Sequence, residues 1–341
     1  MKISEQWLRE WINPKLTTEA MCEQLTLSGL EVESITPVAK KFSGVVVAEV
    51  VSLQKHPNAD RLNVCQVNVG AREPLTIVCG ASNVRAGMKV AAALEGAVLP
   101  GDFKIKHTKI RNVESFGMLC SATELGIAEE SDGLHELPLD APIGKNVWEY
   151  LILEDNVIDI SITPNRGDSL SILGLTKEIS AVCNAPLTHS TNTTSSRGLS
   201  AGSSELHTVP ATIKDTLKIH LDATKECPHY AGRIIRNVKA DALTPIWMQE
   251  RLRRSGIRCI SPIVDVMNYV MLALGQPMHA FDLQNIHGDI HVRFSKNAER
   301  IKLLDGQTLE LKANTLLIAD NKNPLAVAGV MGGFDSAVTL T

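Results

Sequence analysis

The chain has 341 residues, of which 44% are hydrophobic and 21% charged, and a formal net charge of −4. That length holds two or three domains with ordinary apolar cores. The small acidic balance excludes a protein that coats nucleic acid by bulk positive charge, though not one with a local basic face. Aromatic residues make up only 4%, so burial rests on Leu, Val, Ile and Ala. The charge is distributed in blocks. Residues 40–116 carry eleven Lys and Arg against six Asp and Glu, residues 121–160 carry ten acidic residues against Lys145 alone, and residues 228–258 carry seven basic against two acidic. No stretch approaches the apolar length of a membrane span. The N-terminus carries charge where a signal peptide needs an apolar run. Seven cysteines, from Cys22 to Cys259, lie scattered without a C-x-x-C pair, as expected of reduced thiols in a cytoplasmic protein.

In chain order, residues 1–35 predict helix, helix, strand. Ser4 caps the first helix, Thr17 or Thr18 opens the second, and Gly29 closes it. From Gly44 the pattern becomes short strands at 45–53, 61–69, 75–79, 89–93 and around 103–111, punctuated by glycine. Five such strands predict a small barrel or sandwich. Ile158, Ile160 and Ile162 alternate in a strand ending at Pro164, and Asp168 is read as the cap of a helix over 169–183. Residues 188–204 are small and polar and predict a linker. Gly198-Leu199-Ser200-Ala201-Gly202 fits G-x-S-x-G but sits in that linker, without the strand and helix a nucleophile elbow needs. Beyond it, Thr244 as cap, Pro245 at the first helical position and Gly256 as stop bracket a helix. A second apolar helix covers 264–274. Strands at 290–294, 300–304, 308–311 and 315–319 follow, with Asp305-Gly306 as a two-residue hairpin turn. No metal-ligand spacing, P-loop or dinucleotide fingerprint is present.

Three groups of motifs remain. The first is His56-Pro57-Asn58-Ala59-Asp60-Arg61-Leu62, Cys79-Gly80-Ala81-Ser82-Asn83, the run Lys104-Ile105-Lys106-His107-Thr108-Lys109-Ile110-Arg111, and Ser115-Phe116-Gly117-Met118-Leu119-Cys120-Ser121. In this order they resemble the tRNA-binding OB-fold module of several tRNA-related proteins. The second is Thr163-Pro164-Asn165-Arg166-Gly167-Asp168-Ser169-Leu170-Ser171. The third runs from Val264-Asp265-Val266-Met267-Asn268-Tyr269-Val270 through Gly275-Gln276-Pro277-Met278-His279-Ala280-Phe281-Asp282 to Ala328-Gly329-Val330-Met331-Gly332-Gly333. The whole series resembles the bacterial phenylalanyl-tRNA synthetase beta subunit.

The resemblance implies an α+β multidomain architecture. A small OB-fold β-barrel (40–151) is inserted in a split α/β N-terminal domain (1–39 and 152–188). The linker (189–204) then leads to a mixed α/β editing domain (205–341). It also implies an N-terminal fragment, cut inside the editing domain before the family's tyrosine-recognising glutamate. The expected function is the beta-subunit part of a phenylalanine–tRNA ligase, binding tRNA-Phe and hydrolysing mischarged Tyr-tRNA. The expected partner is the alpha subunit, in an alpha2-beta2 assembly. ATP and Mg2+ are expected for the complete enzyme, whereas this fragment is expected to bind no cofactor and no metal. The other function weighed is a tRNA- or partner-binding fragment without chemistry of its own.

On the barrel, Lys104 and Lys106 are expected on one strand face with Phe103 and Ile105 on the other. Lys109 and Arg111 repeat the pattern, and Lys55, Arg61 and Arg85 widen a phosphate-binding patch. A solvated barrel face is the competing reading. In the third region the resemblance gives His279 the task of positioning the ester and its attacking water. Asn268 offers an amide, and Arg258 meets the tRNA 3′ end. Gly329, Gly332 and Gly333 admit the aminoacyl group close to backbone; a tight turn between strands is their competing reading. Pro164-Asn165-Arg166 reads as a strand-to-helix turn, with subunit contact as the alternative.

Overall fold

The computed structural model describes residues 1–188 and 215–339. The predicted linker and the G-x-S-x-G run lie outside the described residues. The chain divides into two compact units, one formed by Met1–Pro186 with Pro245–Ile257, the other by Leu187–Thr244 with Arg258–Thr341.

The first unit opens with a short strand missed in the sequence, β1 (Lys2–Ser4), then α1 (Glu5–Trp11), α2 (Thr18–Leu27) and β2 (Glu31–Pro37). Ser4 and Thr17 are the helix caps, their hydroxyls accepting from Trp7 and Ala20 N–H. The middle of the unit is β3 (Ser43–His56), β4 (Ala59–Asn68), β5 (Leu75–Cys79), β6 (Lys89–Leu99), β7 (Phe103–Lys104), β8 (Thr108–Ile110), β9 (Val113–Ser115), β10 (Gly117–Cys120), β11 (Glu136–Leu137) and α3 (Val147–Tyr150). β12 (Asn156–Ser161) then returns to lie between β1 and β2 in an antiparallel sheet, with Ile158 opposite both Ile3 and Ile35. This pairing joins the two ends of the strand-rich middle. Ile3, Trp7, Leu8, Ile12, Met21, Leu25, Ile158 and Ile160 are buried.

The larger sheet has the order β10-β6-β3-β4-β5, with β7 and β11 also on β6. β6 is covered on both faces. Ala91 and Ala93 point into one core with Val45, Val47 and Leu125. Val90 and Ala92 point into another with Val50, Val67 and Ile77. A strand buried on both sides reads as a continuous apolar run rather than an alternating one. No continuous ladder closes this sheet. The junction of β9 and β10 is tied to β5: Phe116 N–H donates to the Thr76 carbonyl at 2.9 Å, and the Ser115 hydroxyl accepts from Val78 N–H at 3.1 Å.

After β12 the chain makes a short 3₁₀ turn and enters α4 (Ile172–Cys183). Asp168 does not cap this helix. Ser171 does, its hydroxyl accepting from Gly174 N–H at 3.0 Å. Asp168 instead pairs with Arg166, which also reaches Glu178 at 2.8 Å. α5 (Ile246–Arg254), read from sequence as part of the third region, belongs by its contacts to the first unit. Pro245 takes the cap position rather than the expected first helical one, and Thr244 donates its hydroxyl to Asp265 at 2.5 Å instead of capping.

The second unit contains β13 (Ile219–Leu221), α6 (Pro262–Leu274), β14 (Ile290–Phe294), β15 (Arg300–Lys302), β16 (Thr308–Glu310), β17 (Leu316–Ala319), β18 (Pro324–Val327) and β19 (Met331–Gly332). Its sheet has the order β13-β14-β17-β18-β19, parallel only between β13 and β14. Val292, Ile318, Leu325 and Ala326 are buried in its core. The β15–β16 turn differs from the expected two residues. Leu303 N–H meets the Gln307 carbonyl at 2.8 Å, leaving Leu304, Asp305 and Gly306 as the loop. Gly306 takes the left-handed position at φ +86° that such a three-residue loop requires.

Candidate functional sites

The basic stretch of the first unit is organised by a hairpin. β8 and β9 pair Thr108 with Ser115, Lys109 with Glu114 and Ile110 with Val113. Arg111 and Asn112 form its turn at φ +46° and +75°. Both central residues lie in the left-handed region, as in a type I′ turn, which disfavours a long side chain such as Arg. Two hydrogen bonds compensate. Arg111 donates to the Asn58 carbonyl and Asn58 Nδ2 donates to the Arg111 carbonyl, each at 3.2 Å. Buried His56 completes this clamp. Its Nδ1 accepts from Asn58 N–H at 3.0 Å, so the ring proton sits on Nε2, which donates to the Ile110 carbonyl at 3.0 Å. The His-Pro-Asn motif therefore ties the β3–β4 turn to the β8–β9 turn. Asn83 plays a similar part, bonding to both the N–H and the carbonyl of Leu134.

The seven predicted phosphate contacts divide on this frame. Lys55, Arg61, Lys104 and Lys106 are exposed, and among the described residues none has an acidic side chain within ion-pair distance. Arg85 is paired with Glu136, Lys109 with Glu114 at 3.6 Å, and Arg111 is spent on the turn. The expected alternation also changes. β7 is only two residues long, and Phe103 is exposed beside Lys104 while Ile105 is buried. Sequence reading passed over one arrangement here: the rings of His107 and Phe116 stack with centroids 4.4 Å apart and planes 5° apart.

In the second unit α6 begins at the Ser261 cap with Pro262 in its first turn and ends at Gly275, φ +79°. The following segment is stitched to the C-terminal turns. Phe281 bridges to Ala337, Asp282 N–H donates to the Ser336 carbonyl at 3.0 Å, and the Ser336 hydroxyl donates to the Leu325 carbonyl at 2.9 Å. This brings His279 against Gly332. A Cβ on Gly332 would lie 2.4 Å from His279 Cε1 and 2.7 Å from Nε2. Gly333 is needed for another reason, since its Cβ would meet the Leu325 carbonyl oxygen at 2.7 Å. Gly329 adopts φ +69° in open space, in a turn closed by Val330 N–H on the Val327 carbonyl at 3.0 Å. Phe281 packs edge-on to His279 at 4.5 Å. Partial burial against Phe281 and Gly332 pushes the His279 imidazole below its ordinary value, although the residue as a whole stays exposed. The shift favours the neutral form, whose lone pair can accept a proton.

Asn268 and Arg258 are not joined to this pair. Asn268 is half-buried on α6, and Arg258 is exposed. Among the described residues neither side chain is hydrogen-bonded to His279 or to the glycine turn. No group of three or more His, Cys, Asp or Glu side chains among the described residues is arranged to hold a metal ion. No helix among them is long and apolar enough to cross a membrane.

Comparison with known proteins places both sites in recognised domains. Residues 45–146 match the family described as "Putative tRNA binding domain", and residues 226–341 match the B3/4 domain. The class is thus a multidomain α+β chain whose first matched region resembles a putative tRNA-binding domain and whose second resembles a B3/4 domain. Its relatives narrow this further. The chain is 55% identical over 99% of its length to the phenylalanine–tRNA ligase beta subunit of Haemophilus influenzae (strain 86-028NP). It is 53% identical over the same share to that of Legionella pneumophila (strain Lens), and 52% to that of Coxiella burnetii. It is a homologue of these beta subunits and spans about 41% of their length.

Proposed function

We propose that this chain is the tRNA-binding and proofreading part of a phenylalanine–tRNA ligase beta subunit. The observation that carries the reading is 52–55% identity to such subunits across 99% of the chain. In this reading residues 40–151 are an OB-type module inserted between 1–39 and 152–188, and 205–341 belong to an editing domain. The near approach of β10 to β5 supports the OB-type assignment. The alpha subunit is the partner, in an alpha2-beta2 assembly in the cytoplasm. ATP and Mg2+ serve the ligation reaction of the complete enzyme.

The proofreading chemistry is hydrolysis of an ester. Tyrosine differs from phenylalanine by one hydroxyl, and an apolar pocket rejects an added hydroxyl by only about two orders of magnitude. A second site therefore has work to do. The neutral form of His279 accepts a proton from water as it attacks the ester carbonyl and returns it to the ribose oxygen as that C–O bond breaks, releasing tyrosine and tRNA. The bare backbone at Gly332 lets the imidazole lie directly against it, which fixes where the ring stands beside the ester. Asn268 and Arg258 contribute, in this proposal, once the tRNA 3′ end is bound.

The test is deacylation of Tyr-tRNA by the full alpha–beta complex carrying His279→Ala. Loss of a positioned general base lowers the rate by about 10²–10⁴-fold. Hydrolysis at the unsubstituted rate would remove His279 from the reaction.

A further inference from the structure

The stacked rings of His107 and Phe116 stand apart from the other aromatic contacts of the first unit. They extend the β8–β9 hairpin by one cross-strand pair beyond Thr108 and Ser115. Phe116 is 38% exposed, as a ring packed into a core would not be, and the His107 side chain is 40% exposed. Both rings are nevertheless held in place. Glu114 accepts from His107 Nε2 at 2.7 Å, and the Phe116 backbone is anchored on Thr76. Glu114 also neutralises Lys109. The pair is therefore a flat, pre-ordered aromatic surface. Lys106 precedes it directly, Lys104 lies on β7, and both are exposed without an acidic partner among the described residues. Phe103, 58% exposed, adds an apolar ring on the same edge of β6 that β10 occupies.

We propose that the His107–Phe116 pair is a stacking platform for an unpaired base of RNA, with Lys104 and Lys106 holding the flanking phosphates. A base stacks on an aromatic face whatever its identity, because every base has a π face, while lysines track the backbone. Charge complementarity selects this occupant over an apolar peptide, since the unpaired cations beside the rings need anions. The inference rests on reading residues 45–146 as an RNA-binding domain. It adds a contact made through rings rather than charge.

The two kinds of contact respond differently to salt. Phosphate contacts release counterions and set the slope of binding against salt; stacking contributes affinity without changing that slope. The experiment titrates the 341-residue chain with a labelled tRNA transcript and with a short single-stranded oligouridylate at several salt concentrations. Phe116→Ala is expected to weaken both by roughly tenfold at an unchanged slope. Phe116→Trp should retain binding, and the Lys104→Ala/Lys106→Ala double variant should lower the slope. If Phe116→Ala binds like the unsubstituted chain while the lysine variant weakens, the platform is wrong and the RNA-binding reading stands. Equal loss for Phe116→Ala and Phe116→Trp also overturns the platform. No RNA binding by the unsubstituted chain overturns both.

Discussion

Arg254 donates from Nη1 to Asp155 at 2.7 Å, with both side chains almost completely out of solvent. Arg254 sits at the end of α5, ninety-nine residues beyond its partner. It also bonds the Leu151 carbonyl at 2.8 Å and Glu250 at 3.1 Å. Asp155 in turn accepts from the Ser4 hydroxyl at 2.5 Å and Gln6 N–H at 2.9 Å. One carboxylate therefore joins α1, the start of β12 and α5. Removing Arg254 leaves the buried Asp155 carboxylate without its counterion, and removing Asp155 leaves Arg254 with Glu250 alone and the Ser4 hydroxyl and Gln6 N–H without their acceptor. Asp155→Ala and Arg254→Ala should each cost about 3–5 kcal/mol. Urea unfolding of the chain checks this. The exposed pair Arg300–Glu310, 3.0 Å apart, is the control, and breaking it should cost less than about 1 kcal/mol.

Gly332 and Gly333 are adjacent but should respond differently to alanine. At Gly332 the added methyl meets the His279 ring, a side chain that can swing away. Gly332→Ala should leave stability within about 1 kcal/mol of the unsubstituted chain yet displace the imidazole and cut Tyr-tRNA hydrolysis at least tenfold. At Gly333 the methyl meets the backbone carbonyl of Leu325, which is held in the sheet. Gly333→Ala should destabilise by about 1–3 kcal/mol. Deacylation rates and thermal melts, measured on the same variants, separate the two effects.

Asp320 is a buried carboxylate in the second unit. Burial pushes its pKa up, but N–H donors from Asn323, His287 and Lys322, with the His287 ring, outweigh this and hold it below the ordinary carboxylate value. The donors are close, at 2.6 Å from Asn323, 2.8 Å from His287 and 2.7 Å from Lys322. A carboxyl with a depressed folded-state pKa contributes stability above its unfolded pKa, near 3.8. That stability is lost as the pH falls through the folded value. Urea midpoints should therefore drop below about pH 4 in the unsubstituted chain. Asp320→Asn, which loses the charge at every pH, should show a smaller drop.

Burial also sorts the thiols. It pushes Cys65 and Cys120 up to about 12 and Cys22 to about 11. Thiolate is the reactive species, so these three should resist a thiol reagent at pH 8 in the folded chain. Cys183 and Cys227, only half-buried, should label first. Mass spectrometry of partially modified protein reads the order. Early labelling of Cys65 would contradict the packed core around β4.

Much of this was legible in the sequence because local patterns carried it. β5 and β14 occur at the predicted residues, and α6 begins two residues before its predicted start. Gly275 and Gly306 stop or turn the chain at positive φ, which glycine adopts without the steric cost of a side chain. The helix cap at Asp168 was misread because Asp, Ser169 and Ser171 all have capping side chains in one short stretch. The choice between them was made by Arg166, which Glu178 holds and which engages Asp168 and the Ser169 hydroxyl. The basic run was misjudged for a similar reason. A sequence shows that Lys109 and Arg111 are cations, but not that a hairpin sets Glu114 opposite one and Asn58 beside the other.

The sequence by itself determined the longer helices and strands, the basic and acidic blocks and the motifs that mark the two domains, because these depend on spacing and residue type along the chain. Only the tertiary structure decided which charges stay free, which glycine touches His279, and where α5 belongs. Those outcomes depend on residues brought together from distant positions, as Arg254 meets Asp155 and Gly332 meets His279. The energy of such a contact comes from burial and mutual distance, and neither is written in the order of the residues.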